Sequence, residues 1–234
     1  MEGRQKPHDL REACLIEGMA VIATEGVEKL SLREVARRLG VSHQAPYKHF
    51  ASRDHILAEI VARAFADFAR YLDAHPPTDD PDADLGKMGH SYLAYARNHP
   101  LEYRLMFGTP LPDPANHPGM MREAKHAFAL LNQALKRRAL LAGHDSSDDT
   151  VKFDALFIWA GLHGFASIAA SSLVGALGFD PKILPASSEH LLRSFGRALG
   201  AAESQVSKTQ QTRIAARPRH PRAARSRRGD APNS

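Results

Sequence analysis

From Leu10 onward the apolar residues recur at helical spacing. Leu15, Gly18, Met19, Ile22 and Ala23 stand at i, i+3, i+4, i+7 and i+8, which is one face of a helix. Gly26 follows where a glycine ends such a helix. Ser31-Leu32-Arg33-Glu34 fits the capping box, in which Ser31 bonds the backbone of Glu34 and Glu34 reaches back. Leu30 and Val35 fit the hydrophobic staple around it. Leu32, Val35, Ala36 and Leu39 make a two-turn apolar face that stops at Gly40. Ser42 then caps a third, short helix, His43 to Phe50. Pro46 sits near its first turn, where a missing N–H costs least. Ala51-Ser52-Arg53-Asp54 starts a fourth helix with the stripe Leu57, Ile60, Val61, Ala64, Phe65, Phe68 and Leu72, ending before Pro76-Pro77.

An acidic, proline-containing loop is expected from Thr78 to Asp84. Leu85, Met88, Tyr92 and Tyr95 mark a fifth helix, stopped by His99-Pro100, and a short apolar piece follows from Leu101 to Phe107. Gly108 to Gly119 holds four prolines and reads as a loop. Met121, Ala124, Phe128, Leu131 and Leu135 give another helix, ending at Gly143. Asp148 and Asp149 fall in the first turn of the next, where the helix dipole favours them. The last helix is expected over Ser188 to Leu199. No strand pattern appears, so the chain reads as all-α.

Residues 155–179 carry no charge. As one helix they would extend about 37 Å, enough to cross a bilayer. His163, Ser167, Ser171 and Ser172 interrupt the run, and no basic cluster flanks it. A helix apolar on all sides also suits the centre of a soluble bundle, which is the preferred reading, with no membrane partner.

The composition is that of a globular protein, 43% hydrophobic and 24% charged over 234 residues, enough for one or two domains. Cys14 is the single cysteine, so no intramolecular disulfide forms, which fits a reducing compartment. The N-terminal stretch has charges where a secretion signal needs an apolar run, so a cytoplasmic location is expected. The net charge of +5 is unevenly spread. Residues 201–234 hold eight Lys and Arg against Glu203 and Asp230, a net of +6, which leaves −1 for the rest. Any DNA binding by the folded part must come from a few placed residues.

Residues 31–50 supply such residues. A capped helix, a glycine turn and a second short helix form a helix-turn-helix, whose second helix enters the major groove. His43, Gln44, Ala45, Tyr47 and Lys48 are the side chains it would present. Gln44 can pair with adenine, and Ala45 can touch a thymine methyl. Tyr47, Lys48 and His49 can reach phosphates, as can Ser31, Ser42 and Arg53 at helix starts. A plain helical hairpin with Tyr47 and Phe50 as core aromatics accounts less well for four polar groups on so short a segment.

Residues 10–60 resemble the DNA-binding domain of TetR/AcrR-type transcriptional regulators. The text that carries the likeness is Leu32-Arg33-Glu34-Val35-Ala36-Arg37-Arg38-Leu39-Gly40-Val41-Ser42, then Ala45-Pro46-Tyr47-Lys48-His49-Phe50 and Ser52-Arg53-Asp54. The resemblance implies a three-helix DNA-binding domain joined to an all-helical ligand-binding and dimerisation domain. It implies a homodimer, usually a repressor that a small-molecule effector releases from a double-stranded DNA operator. By it, positions matching Gln44, Ala45 and Tyr47 face the groove, and Tyr47, Lys48, His49 and Arg53 grip the backbone. His43-Gln44 is variable in the family, which leaves the bases read open. Trp159-Ala160-Gly161-Leu162-His163-Gly164 is similar to the pattern of a Trp-His-Gly effector-domain subgroup, and residues 94–107 fit the same subgroup. The expected division is a loose arm over 1–9, the DNA-binding domain over 10–57, the effector-binding and dimerisation domain over 58–202 and a basic disordered tail over 203–234.

Trp159 and His163 are four apart and share a helix face, as a pocket wall or as a core pair in which the ring finds a local partner; the second is favoured. Tyr92, Tyr95, Tyr103, Met106, Phe107, Phe128 and Leu131 are further candidates for an apolar ligand cavity, though most residues of this kind are ordinary core. Gly164, Ser167, Ser171 and Gly175 allow close helix approach, and with Leu192, Phe195 and Leu199 they are the candidate dimer interface, intramolecular packing being the equal alternative. No metal-ligand spacing, phosphate-binding glycine loop or nucleophile motif is present, so no metal, no cofactor and no catalytic residue is expected. Two rivals stay open: an architectural DNA binder using head and tail together, and a small helical enzyme or carrier.

Overall fold

The computed structural model describes residues 9–180 and 182–215, with side chains as far as residue 200. Among the described residues there are nine α-helices and no strand: α1 (Leu10–Glu25), α2 (Leu32–Leu39), α3 (Arg53–Leu72), α4 (Pro81–Asn98), α5 (Pro100–Phe107), α6 (Pro118–Leu141), α7 (Asp148–Ala169), α8 (Leu173–Ala176) and α9 (Ile183–Ala215). The all-α expectation holds.

The starts of the first three helices follow from side chains. Asp9 accepts the Glu12 N–H at 3.2 Å, Ser31 accepts that of Glu34 at 3.1 Å, and Ser52 accepts that of His55 at 3.1 Å. Each bond satisfies a donor that the first helical turn leaves unpaired. Gly40 ends α2 at φ +68°, a left-handed conformation that glycine adopts without strain. The capping box is only half formed. The Glu34 carboxylate turns instead to Arg37 Nε at 2.8 Å and Arg38 Nε at 2.9 Å, because charged donors outweigh one backbone N–H.

The head core forms where α1 crosses α3. A Cβ on Gly18 would stand 3.1 Å from Ile60 Cδ1, so a small residue is needed there. Cys14, Val21 and Ile22 are fully buried, whereas Ala23, expected on this face, is exposed. The expected helix from His43 to Phe50 is only a 3-10 turn, Pro46–Lys48, preceded by a turn. Pro46 has no N–H to return to the Ser42 carbonyl, and that oxygen takes the Ala45 N–H at 2.9 Å.

α3 buries its whole expected stripe and passes through the expected domain boundary at 57/58. Its start packs against α1 and its remainder against α4, α5 and α6, so one buried cluster runs from head to effector region. α4 begins inside the expected loop. Asp80 caps it by accepting the Ala83 N–H at 2.9 Å, and Pro81 occupies its first position.

The charge-free stretch is not one helix. α7 ends at Ala169, and the short α8 and Gly178 at φ +80° turn the chain. Among the described residues no helix is long and apolar enough to cross a membrane. α9 exceeds the expected 188–199 at both ends and runs through the start of the expected disordered tail. Residues 200–215 contain Ala, Glu, Gln and Lys and no proline until Pro218, which favours continued helix. Residues 1–8 of the expected arm and 216–234 of the expected tail lie outside the described residues.

Candidate functional site

The segment after Gly40 presents a polar edge. Ser42, His43, Gln44, Tyr47, Lys48 and His49 are exposed, Ala45 is half-buried, and Pro46 and Phe50 are buried. Tyr47 keeps 45% of its surface in water, although it is a large aromatic. Phe50 instead is fully buried, edge-on to His55 at 5.8 Å, with the Arg11 guanidinium 5.7 Å over its ring. The core alternative therefore fits Phe50 and fails for Tyr47.

Two expected DNA contacts are differently employed. The Ser31 hydroxyl is half-buried and occupied as the α2 cap. Arg53 turns inward: its Nη2 donates to Val27 O at 2.8 Å, its Nε to Leu30 O at 3.2 Å and its Nη1 to Asp54 at 3.0 Å. It ties the loop before α2 to the start of α3 and so sets the angle between them. Arg37 and Arg38 hold the Glu34 carboxyl down to about 2, which engages both cations inside the head. Arg33 is exposed on the first turn of α2, opposite the buried Leu32, Val35 and Ala36. It is a cation the sequence reading passed over because the capping box had absorbed it.

In the effector region most of the ligand candidates form one packed cluster. His163 Nδ1 lies 2.8 Å from the Tyr103 hydroxyl, which lies 2.8 Å from that of Tyr92. Burial pushes the Tyr103 phenol up to about 12. Phe107 packs on Trp159 at 6.0 Å and His163 at 5.5 Å, Phe128 packs on Trp159 at 5.9 Å, and Met106 is buried. Tyr95 donates to Ala64 O at 3.1 Å and stacks on His99. Trp159 and His163 are thus a core pair whose polar atom has a local partner, the favoured reading.

A cavity of about 360 Å³ lies beside this cluster, between the end of α3 and helices α4, α6, α7 and α9. Of the nine ligand candidates only Tyr92 and Leu131 line it. Its walls are aliphatic, with Leu72, Leu85, Met88, Leu131, Ile158, Leu162, Leu192 and Leu199, closed by Phe195. Among the described residues its charged members are Asp82, Arg138 and Arg197. The rest of the lining was not legible in the sequence, because leucines at helical spacing read as core and Arg138 sits in the basic run Lys136-Arg137-Arg138.

The dimer candidates separate into two sets. Leu192, Phe195 and Leu199 face the protomer's own interior: a Cβ on Gly89 would collide with Leu192, and one on Gly161 with Phe195. Those three positions are corrected to intramolecular packing, because small residues on α4 and α7 admit α9 closely. Ser167, Ser171 and Gly175 are exposed, and Gly164 is half-buried beside open space. Near them the apolar side chains Phe153, Leu156, Phe157 and Ile168 of α7 are exposed, as are Leu173, Leu177, Phe179 and Ile183 further along the chain. From Ala155 on α7 is therefore apolar on two faces, one in the core and one uncovered, which explains why this part carries no charge. Among the described residues no group of His, Cys, Asp or Glu is arranged to hold a metal ion.

Residues 15–60 match the family described as bacterial regulatory proteins, tetR family. Residues 85–195 match the one described as Tetracyclin repressor-like, C-terminal domain, which does not mention a Trp-His-Gly subgroup. The chain is 30% identical over 113 residues to the HTH-type transcriptional regulator Rv1816 of Mycobacterium tuberculosis, covering 47% of this chain and 48% of that one. The chain thus spans about half the length of this curated relative and of its like-named counterparts. A solved structure of a protein with unknown function from Rhodococcus sp. RHA1 superposes with a TM-score of 0.64 at 26% identity, covering 81% of this chain and 98% of that one. The regulatory protein SCO4313 superposes with a TM-score of 0.62 at 27% identity, covering 80% and 94%.

Proposed function

The chain belongs to the TetR family of bacterial regulatory proteins, and on that premise we propose that it is a sequence-specific DNA-binding transcriptional regulator, a homodimeric repressor released from its operator by a small molecule. The observation that carries this reading is the exposed edge of Gln44, Tyr47, Lys48 and His49 within the matched residues 15–60. One such edge fits one major groove, and two in a dimer read half-sites about one helical turn, roughly 34 Å, or a multiple of it, apart. Residues 10–57 act as the DNA-binding unit and 58–202 as the effector and dimerisation unit, in a cytoplasmic protein. The uncovered apolar face of α7 is the surface we assign to the second copy, since a patch of that kind is unfavourable in water.

The cavity is the effector site in this reading. Leu72 in its wall belongs to α3, and the other end of α3 carries Ile56 and Leu57 of the head core. A ligand seated there bears on the helix that holds the head. It shifts the population only by its differential affinity for the two head arrangements.

The test is fluorescence anisotropy with DNA from upstream of the protein's own gene and a composition-matched scramble, over a range of salt. A preference of about 10³ or more, the low end for specific binders, is expected. Equal binding to many genomic fragments, falling steeply with salt, would favour an architectural DNA binder instead.

A further inference from the structure

We propose that His55 is a positioning residue for DNA recognition. In its neutral form it holds the Ala51 N–H and so fixes the end of the edge from Gln44 to His49 on α3; a second proton on the ring releases it. This rests on the reading of that edge as the DNA contact. The edge is built on a single 3-10 turn, Pro46–Lys48, closed by the His49 and Phe50 N–H groups on Pro46 O at 2.9 and 3.0 Å. So short a turn does not hold its own orientation. His55 fastens it downstream in two ways. Its ring meets the buried Phe50 edge-on at 5.8 Å, and its Nδ1 accepts the Ala51 N–H at 3.1 Å.

The arrangement is a variant of the capping box. Ser52 caps α3 by accepting the His55 N–H at 3.1 Å. In a capping box the third helical residue, a Glu or Gln, returns a bond to the start of the helix. His55 is that third residue, and its bond returns to Ala51, one position before the cap. The tautomer follows from the partners. A backbone N–H only donates, so Nδ1 carries no proton. The ring proton is then on Nε2, which lies 3.3 Å from Glu59 Oε1. A second proton must go to Nδ1, where it would face the Ala51 N–H donor to donor, and the bond is lost. Imidazoles gain that proton between about pH 8 and 5, a range in which Glu or Gln at this place would keep accepting.

The ring stands in a cleft between the head and the start of α6. Its charged and titratable neighbours there are Arg11 of α1, Glu59 and Arg63 of α3, His117, and Arg122 and Glu123 of α6. Glu59 attracts a charged ring, and Arg11, paired with the same carboxylate, offsets that attraction. Arg63 is engaged by Glu12 at 2.7 Å and Arg122 by Glu123 at 3.1 Å. The His117 ring lies 6.3 Å from that of His55, so a charge on one imidazole opposes a charge on the other. His43 and His49 are exposed with the DNA edge and gain charge in the same range. Their effect on DNA binding is common to the wild type and to His55 variants, and it cancels when these are compared at one pH.

The experiment is fluorescence anisotropy at pH 8 and pH 5.5 with a genomic fragment selected by the full chain at pH 8, for wild type, His55→Gln and His55→Ala. Gln can accept the Ala51 N–H at both pH values, and Ala at neither. At pH 8 the Gln variant should match the wild type within about twofold, and the Ala variant should bind about fivefold more weakly, the yield of one ordinary hydrogen bond. At pH 5.5 the wild type should fall to the level of the Ala variant, with the Gln variant about fivefold tighter than both. Melts at both pH values confirm folding, and if the Ala variant does not fold, the comparison of Gln with wild type decides alone. A wild-type to Gln ratio that does not change with pH overturns the inference, as does an Ala deficit that stays the same in acid. The reading of the DNA edge survives either result if Tyr47→Ala still weakens binding. Failure to select any fragment overturns both.

Discussion

Gly161 and Phe195 meet at the crossing of α7 and α9 so closely that a Cβ on Gly161 would stand 2.5 Å from Phe195 Cζ. The glycine in the Trp-Ala-Gly-Leu-His-Gly stretch is therefore a seat for one aromatic ring. That ring in turn closes one wall of the cavity.

Gly161→Ala should force the Phe195 ring to move. Overpacking of this kind costs about 1–3 kcal/mol. In a chain of this size each kcal/mol lowers Tm by roughly 2–4 °C. Calorimetry checks it, and an unchanged Tm would mean that α9 can retreat freely.

Arg53→Met should destabilise the head by about 1–2 kcal/mol in urea unfolding, a charged hydrogen-bond contribution discounted for partial exposure. The salt slope of DNA binding should stay as in the wild type. A slope smaller by about 0.9 would place Arg53 on a phosphate instead. Lys48→Ala, exposed and with no side-chain partner among the described residues, is the contrast and should show that smaller slope.

Tyr47→Ala should weaken operator binding by about 1–3 kcal/mol, the range of one good contact at a specific site. Its Tm should stay near that of the wild type, because the ring is half in water and fills no core. Anisotropy and a melt on the same sample decide it.

Phe153→Glu with Leu156→Glu should convert a dimer into a folded monomer in sedimentation velocity. These side chains are 72% and 55% exposed in the single chain. A charge there costs the protomer little and the interface much. An unchanged dimer would move the interface elsewhere.

His90 Nε2 lies 2.7 Å from Glu189 and links α4 to α9. The bond to Glu189 raises the His90 pKa above 6.5 and lowers that of Glu189 below 4.5. The histidine contribution is complete below 6.5 and is lost as pH rises through the raised value. The glutamate contribution is complete above 4.5 and is lost as pH falls through the lowered one. The stability difference between wild type and His90→Gln should therefore be largest between pH 4.5 and 6.5 and shrink toward pH 8. A difference that grows with pH would contradict the pairing.

What the sequence by itself determined was local. Ser31, Ser52 and Gly40 act on backbone groups within a few residues of themselves, so both ends of α2 and the start of α3 could be read from the chain. The stripe from Leu57 to Leu72 was legible because a long amphipathic helix has one way to bury its apolar side. The exposed polar edge from Gln44 to His49 was legible for the same reason, although Pro46 reduced its helix to a single 3-10 turn. The tertiary structure alone decided which partner each side chain met. Arg53 turned from the expected phosphate to the carbonyls of Val27 and Leu30, and the last-helix apolar residues turned from the expected interface to Gly89 and Gly161. It also decided that aliphatic residues from five helices enclose a cavity while the aromatic candidates close on one another. The pattern along a chain states that a face is apolar, but only the crossing of distant helices determines whether that face meets its own core, a cavity or another molecule.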